Sequence, residues 1–187
     1  MSNLAKFIAS TITGPFNQDI SFMLVGKKGT GKSKASLSIS CMVAYEVACA
    51  IDNDPKKWKD YFNIDLVAII DPIAAADLIV LPGKYLCKLY DDIGLGWNSR
   101  DFAKQDNKDK NDIFQINRVD NTFQTFALPN QFLIDKVPRS LVSHYGEMDR
   151  SRKGFTRGFS LMKFFEPITL FREGKQITPY LSTAGQK

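Results

Sequence analysis

Apolar and polar positions alternate along the chain in blocks that predict strands and helices in turn. Leu4, Phe7, Ile8 and Ile12 recur at helical spacing and predict a short amphipathic helix able to dock on the body. Ile20 to Val25 is an unbroken apolar run leading into a glycine-rich turn, the pattern of a buried strand. From Lys32 to about Ile51 there is no Gly or Pro, and apolar residues fall on most turns, predicting a largely buried helix. A polar surface excursion follows at Pro55 to Asp60, then a second buried strand over Ile64 to Ile70. Asp71-Pro72 supplies an N-cap with proline at the first helical position, opening a helix through Leu78. Strands are expected at Tyr85 to Tyr90 and Thr122 to Leu128, separated by a long polar loop and a helix reaching Arg118. Phe132 to Tyr145 predicts another helix, interrupted near Pro138. The chain then closes with β segments at 158–165, 168–172 and 176–181, turning at Glu173-Gly174.

Buried strands alternating with helices predict an α/β fold: a mainly parallel sheet flanked by helices, with a C-terminal antiparallel β-hairpin added. The 187 residues suit a single domain. Its parts are an N-terminal helix (1–19), a core (20–145) and a β-rich tail (146–187).

Composition narrows the chemistry. His144 is the only histidine, which rules out a multi-histidine metal site. Cys41, Cys49 and Cys87 form an odd set without ligand spacing, so reduced structural thiols in a reducing compartment are expected. No apolar run approaches the ~18 residues of a membrane span and no signal-peptide core opens the chain, so a cytoplasmic location is expected. The net charge of +5 is uneven: residues 136–187 carry 10 basic and 4 acidic side chains, and the rest of the chain is nearly neutral.

The sharpest motif is Gly26-Lys27-Lys28-Gly29-Thr30-Gly31-Lys32-Ser33, which fits Gly-x-x-x-x-Gly-Lys-Ser/Thr without departure. Glycines let successive backbone N–H groups turn inward as an anion nest, and the helix that follows adds its positive dipole end. Lys32 can reach β- and γ-phosphates, and the Ser33 hydroxyl can ligate Mg²⁺. Such a loop calls for an acidic residue at a nearby strand end. Leu89-Tyr90-Asp91-Asp92 supplies Asp91 as the Mg²⁺ partner and Asp92 where related ATPases place a glutamate that polarises the attacking water. Lys88, a charge inside that strand, counts against the match. Asn130, after the next strand, is the candidate γ-phosphate contact, with Gln131 and then Thr125 behind it. An arginine donated by a neighbouring subunit has candidates in Arg118, Arg139, Arg150 and Arg152, with Arg139 preferred.

Together with Ile134-Asp135-Lys136-Val137-Pro138-Arg139, these segments resemble the additional-strand P-loop ATPases. Within that class they resemble the DNA-pumping FtsK/HerA group, including zonula-occludens-toxin-like phage assembly and viral genome-packaging ATPases. The resemblance spans about residues 20–145 and implies a RecA-like core, ATP with Mg²⁺, assembly into a homo-oligomeric ring (hexamer or pentamer) and DNA as the moved substrate. A capsid or replication protein would be a further partner, in the host cytoplasm if the source is viral. The chain departs from the group in having Asp92 where Glu is usual. A second resemblance is to ATP-switched helicase loaders of the DnaC/IstB kind, against which the expected hairpin in place of a helical lid argues. A small-molecule kinase is a third class that begins with the same loop. Arg150, Arg152, Lys153 and Arg157, interleaved with Phe155 and Phe159, form the candidate DNA contact, binding phosphate without reading sequence.

Overall fold

A computed structural model of the chain describes residues 3–16, 18–92, 120–133, 142–149, 161–172 and 175–183. Helix α1 (Asn3–Ile12) is followed by strand β1 (Ile20–Val25) and helix α2 (Lys32–Ile51). A one-turn helix α3 (Trp58–Tyr61), strand β2 (Val67–Ile69) and helix α4 (Pro72–Val80) precede β3 (Cys87–Asp91). Strands β4 (Phe123–Leu128), β5 (His144–Asp149), β6 (Leu161–Arg172) and β7 (Lys175–Thr183) complete one sheet of order β2-β3-β4-β1-β5-β6-β7. The first five strands in that order run parallel; β6 and β7 add an antiparallel hairpin against β5. The α/β class, the parallel sheet and the terminal hairpin are therefore as the sequence predicts.

Register assigns the two faces. Phe22, Thr125 and His144 stand level on β1, β4 and β5. Thr125 meets Ser40 of α2 at 3.3 Å, and His144 meets Phe7 of α1 edge-on at 5.9 Å, so α1 and α2 cover this face. α1 buries Ala5, Ile8, Ala9 and Ile12 as the helical spacing requires. α2 buries Ser36, Ile39, Ser40, Val43, Ala44, Val47 and Ala48. Its 20 residues include an 18-residue window with a mean hydropathy of 1.3, long and apolar enough to cross a membrane by those criteria alone, but this buried stripe is spent on packing. The opposite face carries α4, whose start is set by Asp71: its carboxylate accepts from the N–H groups of Ile73 at 2.9 Å and Ala74 at 3.3 Å.

Four expectations are corrected. The second strand is a three-residue edge, not a buried strand, because Ile64 to Leu66 form a 3-10 turn; Ile64, Ile69 and Ile70 are exposed. The segment expected as a helix over 132–145 is described only at its ends, where a 3-10 turn at Gln131–Leu133 and the start of β5, which pairs with β1, replace it; residues 134–141 lie outside the described residues. The two tail segments before the turn are one twelve-residue strand, β6, with a register irregularity between Ile168 and Leu170. The charge of Lys88 does not disqualify β3. Its side chain is fully buried and its Nζ donates to the carbonyls of Ile79 (3.0 Å) and Leu81 (2.8 Å), capping the negative end of α4.

Candidate functional site

The carboxyl ends of β1, β3 and β4 meet at one edge of the sheet. β3 and β4 lie between β1 and β2, so the chain leaves β1 into α2 and returns three places away, opening a crevice at the strand ends. The glycine-rich loop occupies this edge. Gly29 and Gly31 have φ of 77° and 87°, the left-handed region that glycine enters without penalty. Gly26 is required by space instead: a Cβ there would sit 3.0 Å from the Cβ of Met148 and 3.1 Å from its carbonyl on β5.

The Lys27 carbonyl gathers the loop. It accepts from the Thr30 hydroxyl at 2.8 Å, the Thr30 N–H at 3.3 Å and the Lys32 ammonium at 3.2 Å. Thr30 and Lys32 are buried by this closure. Gly31 is the N-cap of α2 and provides no side-chain acceptor, so the positive end of the helix has no cap from its own cap residue. A loop closed on its own carbonyl above an uncapped helix suits an anion.

Asp91 and Asp92 end β3 beside this loop. The Ile70 N–H donates to the Asp91 carbonyl and the Asp92 N–H to the Ala127 carbonyl, both at 2.9 Å, fixing the turn between the neighbouring strands. Asp92 adopts a left-handed φ of 51°, which Asp tolerates better than most residues. Each carboxylate has a buried Oδ1 without a protein partner. Burial raises the Asp91 carboxyl above its ordinary range and the Asp92 charge adds to that, while a hydrogen bond with Ser33 and the Lys32 charge pull it down. Two adjacent carboxylates with orphaned buried oxygens, next to a serine hydroxyl and an ammonium, form a donor set of hard oxygens that fits Mg²⁺.

Asp91 therefore carries a stability cost. A raised carboxyl means the folded chain holds the proton more tightly than the unfolded one. Its stabilising contribution is complete below the unfolded pKa and is lost as pH rises through the folded value. We predict that Asp91→Asn melts higher than the wild type at neutral pH, by roughly 2–4 °C per kcal/mol relieved. The difference should disappear in acid, and thermal melts across pH check this. A lower melting temperature at neutral pH would contradict it.

Asn130 follows β4 at the same edge, exposed, with its carbonyl accepting from the Leu133 N–H at 3.2 Å; Gln131 starts the 3-10 turn. Thr125 is removed from consideration. It is fully buried in mid-strand, between the Ser40 hydroxyl and the Lys88 carbonyl, away from the strand ends. Thus Gly26 to Ser33, Asp91, Asp92 and Asn130 share one edge. Arg118, Arg139, Arg150, Arg152, Lys153 and Arg157 lie outside the described residues. Sequence reasoning missed Met148, which walls the loop at Gly26; it is buried with Tyr145 and Gly146 while Glu147 between them is exposed, so no simple alternation signalled it. Comparisons with protein-family models, curated proteins and solved structures find no match.

Proposed function

We propose that the chain is a Mg²⁺-dependent P-loop ATPase of the additional-strand kind that moves DNA as a ring of identical subunits, in viral or plasmid DNA packaging or transfer. The observation that carries this reading is the pair of buried, unpartnered carboxylate oxygens of Asp91 and Asp92 beside Ser33 and Lys32. The strand order, with β4 inserted between β1 and β3, supports the additional-strand class.

In this reading the Gly26–Ser33 backbone and the start of α2 hold the phosphates, and Lys32 neutralises the β- and γ-oxygens. Ser33 and Asp91 would hold Mg²⁺, which when bound would supply neutralisation of the phosphate charge. Asp92 orients the attacking water and accepts its proton; being one methylene shorter than Glu, it must sit closer to that water. Asn130 contacts the γ-phosphate, and Arg139 of one subunit serves the site of the next. The hairpin β6–β7, standing where a loader would carry a helical lid, favours a motor over a DnaC/IstB-like loader.

DNA enters through charge. The excess of basic residues lies past residue 135, and Arg150, Arg152, Lys153 and Arg157 lie between β5 and β6 in the chain. Cations there release counterions from a duplex, so binding weakens with salt by about 0.9 log units per phosphate neutralised and per log unit of salt. Duplex DNA is expected to stimulate ATP hydrolysis several-fold. Charge reversal at Arg150, Arg152 and Lys153 should abolish the stimulation and leave basal turnover intact. Absence of hydrolysis by the wild type would sink the ATPase reading; stimulation that survives charge reversal would remove DNA from this segment.

A further inference from the structure

Away from the strand-end site, α2 and α3 enclose an open apolar cavity of about 400 Å³ lined by Cys41, Met42, Tyr45 and Trp58. That is within the size range of sites that accept a bound group. Polar ties join the two helices that line it. The Tyr61 hydroxyl donates to Asp52 at 2.7 Å and the Lys57 ammonium to the same carboxylate at 3.3 Å, anchoring α3 to the end of α2. With Trp58 fixed in this way, the hollow between the two helices persists. Its lining of two aromatic rings, a thioether and a thiol presents a surface for a neutral aromatic group.

The same chain displays such a group. Phe16, on the turn between α1 and β1 and following Gly14-Pro15, is 77% exposed, the most exposed aromatic among the described residues. It is a solvated phenyl ring on a short connection, left uncovered by the described residues. Knob and hollow also lie on opposite flanks of α2. α1 packs along α2 on the side of β1 and β5, where Phe7 meets His144. The hollow lies on the side of β2 and β3, where α3 leads into β2 and Cys41 approaches Cys87.

We propose that Phe16 of one copy inserts into the Cys41–Met42–Tyr45–Trp58 hollow of the next. A knob on one flank and a socket on the other make a head-to-tail contact, which closes into a ring when the rotation permits and otherwise extends as a filament. This deepens the ring reading above and rests on it for the identity of the partner, while standing apart from ATP turnover. A buried aromatic anchor of this kind carries a large share of an interface, so its truncation weakens association on the order of thirtyfold.

Sedimentation of the full chain, with and without ATP and Mg²⁺, tests the contact. Phe16→Ser, at an exposed position, and the socket-blocking Met42→Arg should each sediment as monomers at concentrations where the wild type assembles beyond the dimer. Mixed in equal amounts, they should give dimers and nothing larger, since each retains one half of the contact. Cys41 gives a readout independent of the folding of Met42→Arg: its maleimide labelling should slow as wild-type concentration rises and stay fast in Phe16→Ser. A ring that survives Phe16→Ser overturns the knob and keeps the ring. A wild type that stays monomeric throughout overturns both, whatever its ATPase rate.

Discussion

Lys32→Ala is expected to lower ATP turnover by about 10²–10³-fold, the scale seen when one preorganised group facing the developing charge is removed. The argument is electrostatic. In the free structure the Lys32 ammonium is buried against the Lys27 carbonyl at 3.2 Å, within a loop whose helix end has no side-chain cap from Gly31. A nucleotide bound there brings negative charge to the γ-oxygens, and Lys32 is the loop cation placed to answer it. The fold should tolerate the change, because Lys32 makes one hydrogen bond to a carbonyl that Thr30 also satisfies twice. Unchanged far-ultraviolet circular dichroism together with collapsed phosphate release is the expected pair of results. Lys32→Arg should not rescue, since a planar guanidinium does not fit the space of a compact ammonium. Equal and slow hydrolysis by wild type and Lys32→Ala would remove catalysis from this loop.

Parts of this site are written locally in the sequence, and those are legible. The β1–loop–α2 unit depends on a six-residue apolar run, glycines at the two positions that need positive φ, and twenty residues without a helix breaker. Asp71-Pro72 likewise announces α4 within a few residues, and the capping bonds follow the expected geometry. What was illegible depends on partners distant in the chain. β5 opens on the polar His144, just after Ser143, and is a strand because β1 offers it a parallel edge. β2 shrinks to an edge because nothing among the described residues pairs with its outer side. Thr125 looked like a site residue by its place in the strand sequence, yet its register faces it to Ser40, 85 residues earlier. Lys88 is the plainest case: from sequence a charge in a central strand is a fault, and in space it is a clamp.

That clamp predicts the largest stability effect in the chain. Lys88 is fully buried, its ammonium bonded to two carbonyls at the end of α4, with the carboxylates of Asp19 and Asp120 favouring its charge. Lys88→Ala removes two charge-assisted hydrogen bonds, leaves both carbonyls without that partner, and opens a void beneath β3. The expected cost is about 3–5 kcal/mol, a large fraction of the roughly 5–15 kcal/mol that holds a domain folded. Lys88→Met, which keeps most of the volume, separates packing from charge and should recover only part of the loss. The pH dependence identifies the charge directly. Burial lowers the Lys88 pKa, so the unfolded chain binds its proton more tightly than the folded one. Wild-type stability should therefore gain from this group as pH rises from the folded value towards 10.5, and that gain should be missing from Lys88→Met. Urea unfolding of the three proteins at neutral and alkaline pH checks both claims. If Lys88→Ala unfolds within about 1 kcal/mol of wild type, α4 is held by its N-cap and apolar face alone. If instead the loss is found while Lys32 and Asp91 still support nucleotide binding, the clamp and the strand-end site are separable. Stability would then be set at one end of β3 and chemistry at the other.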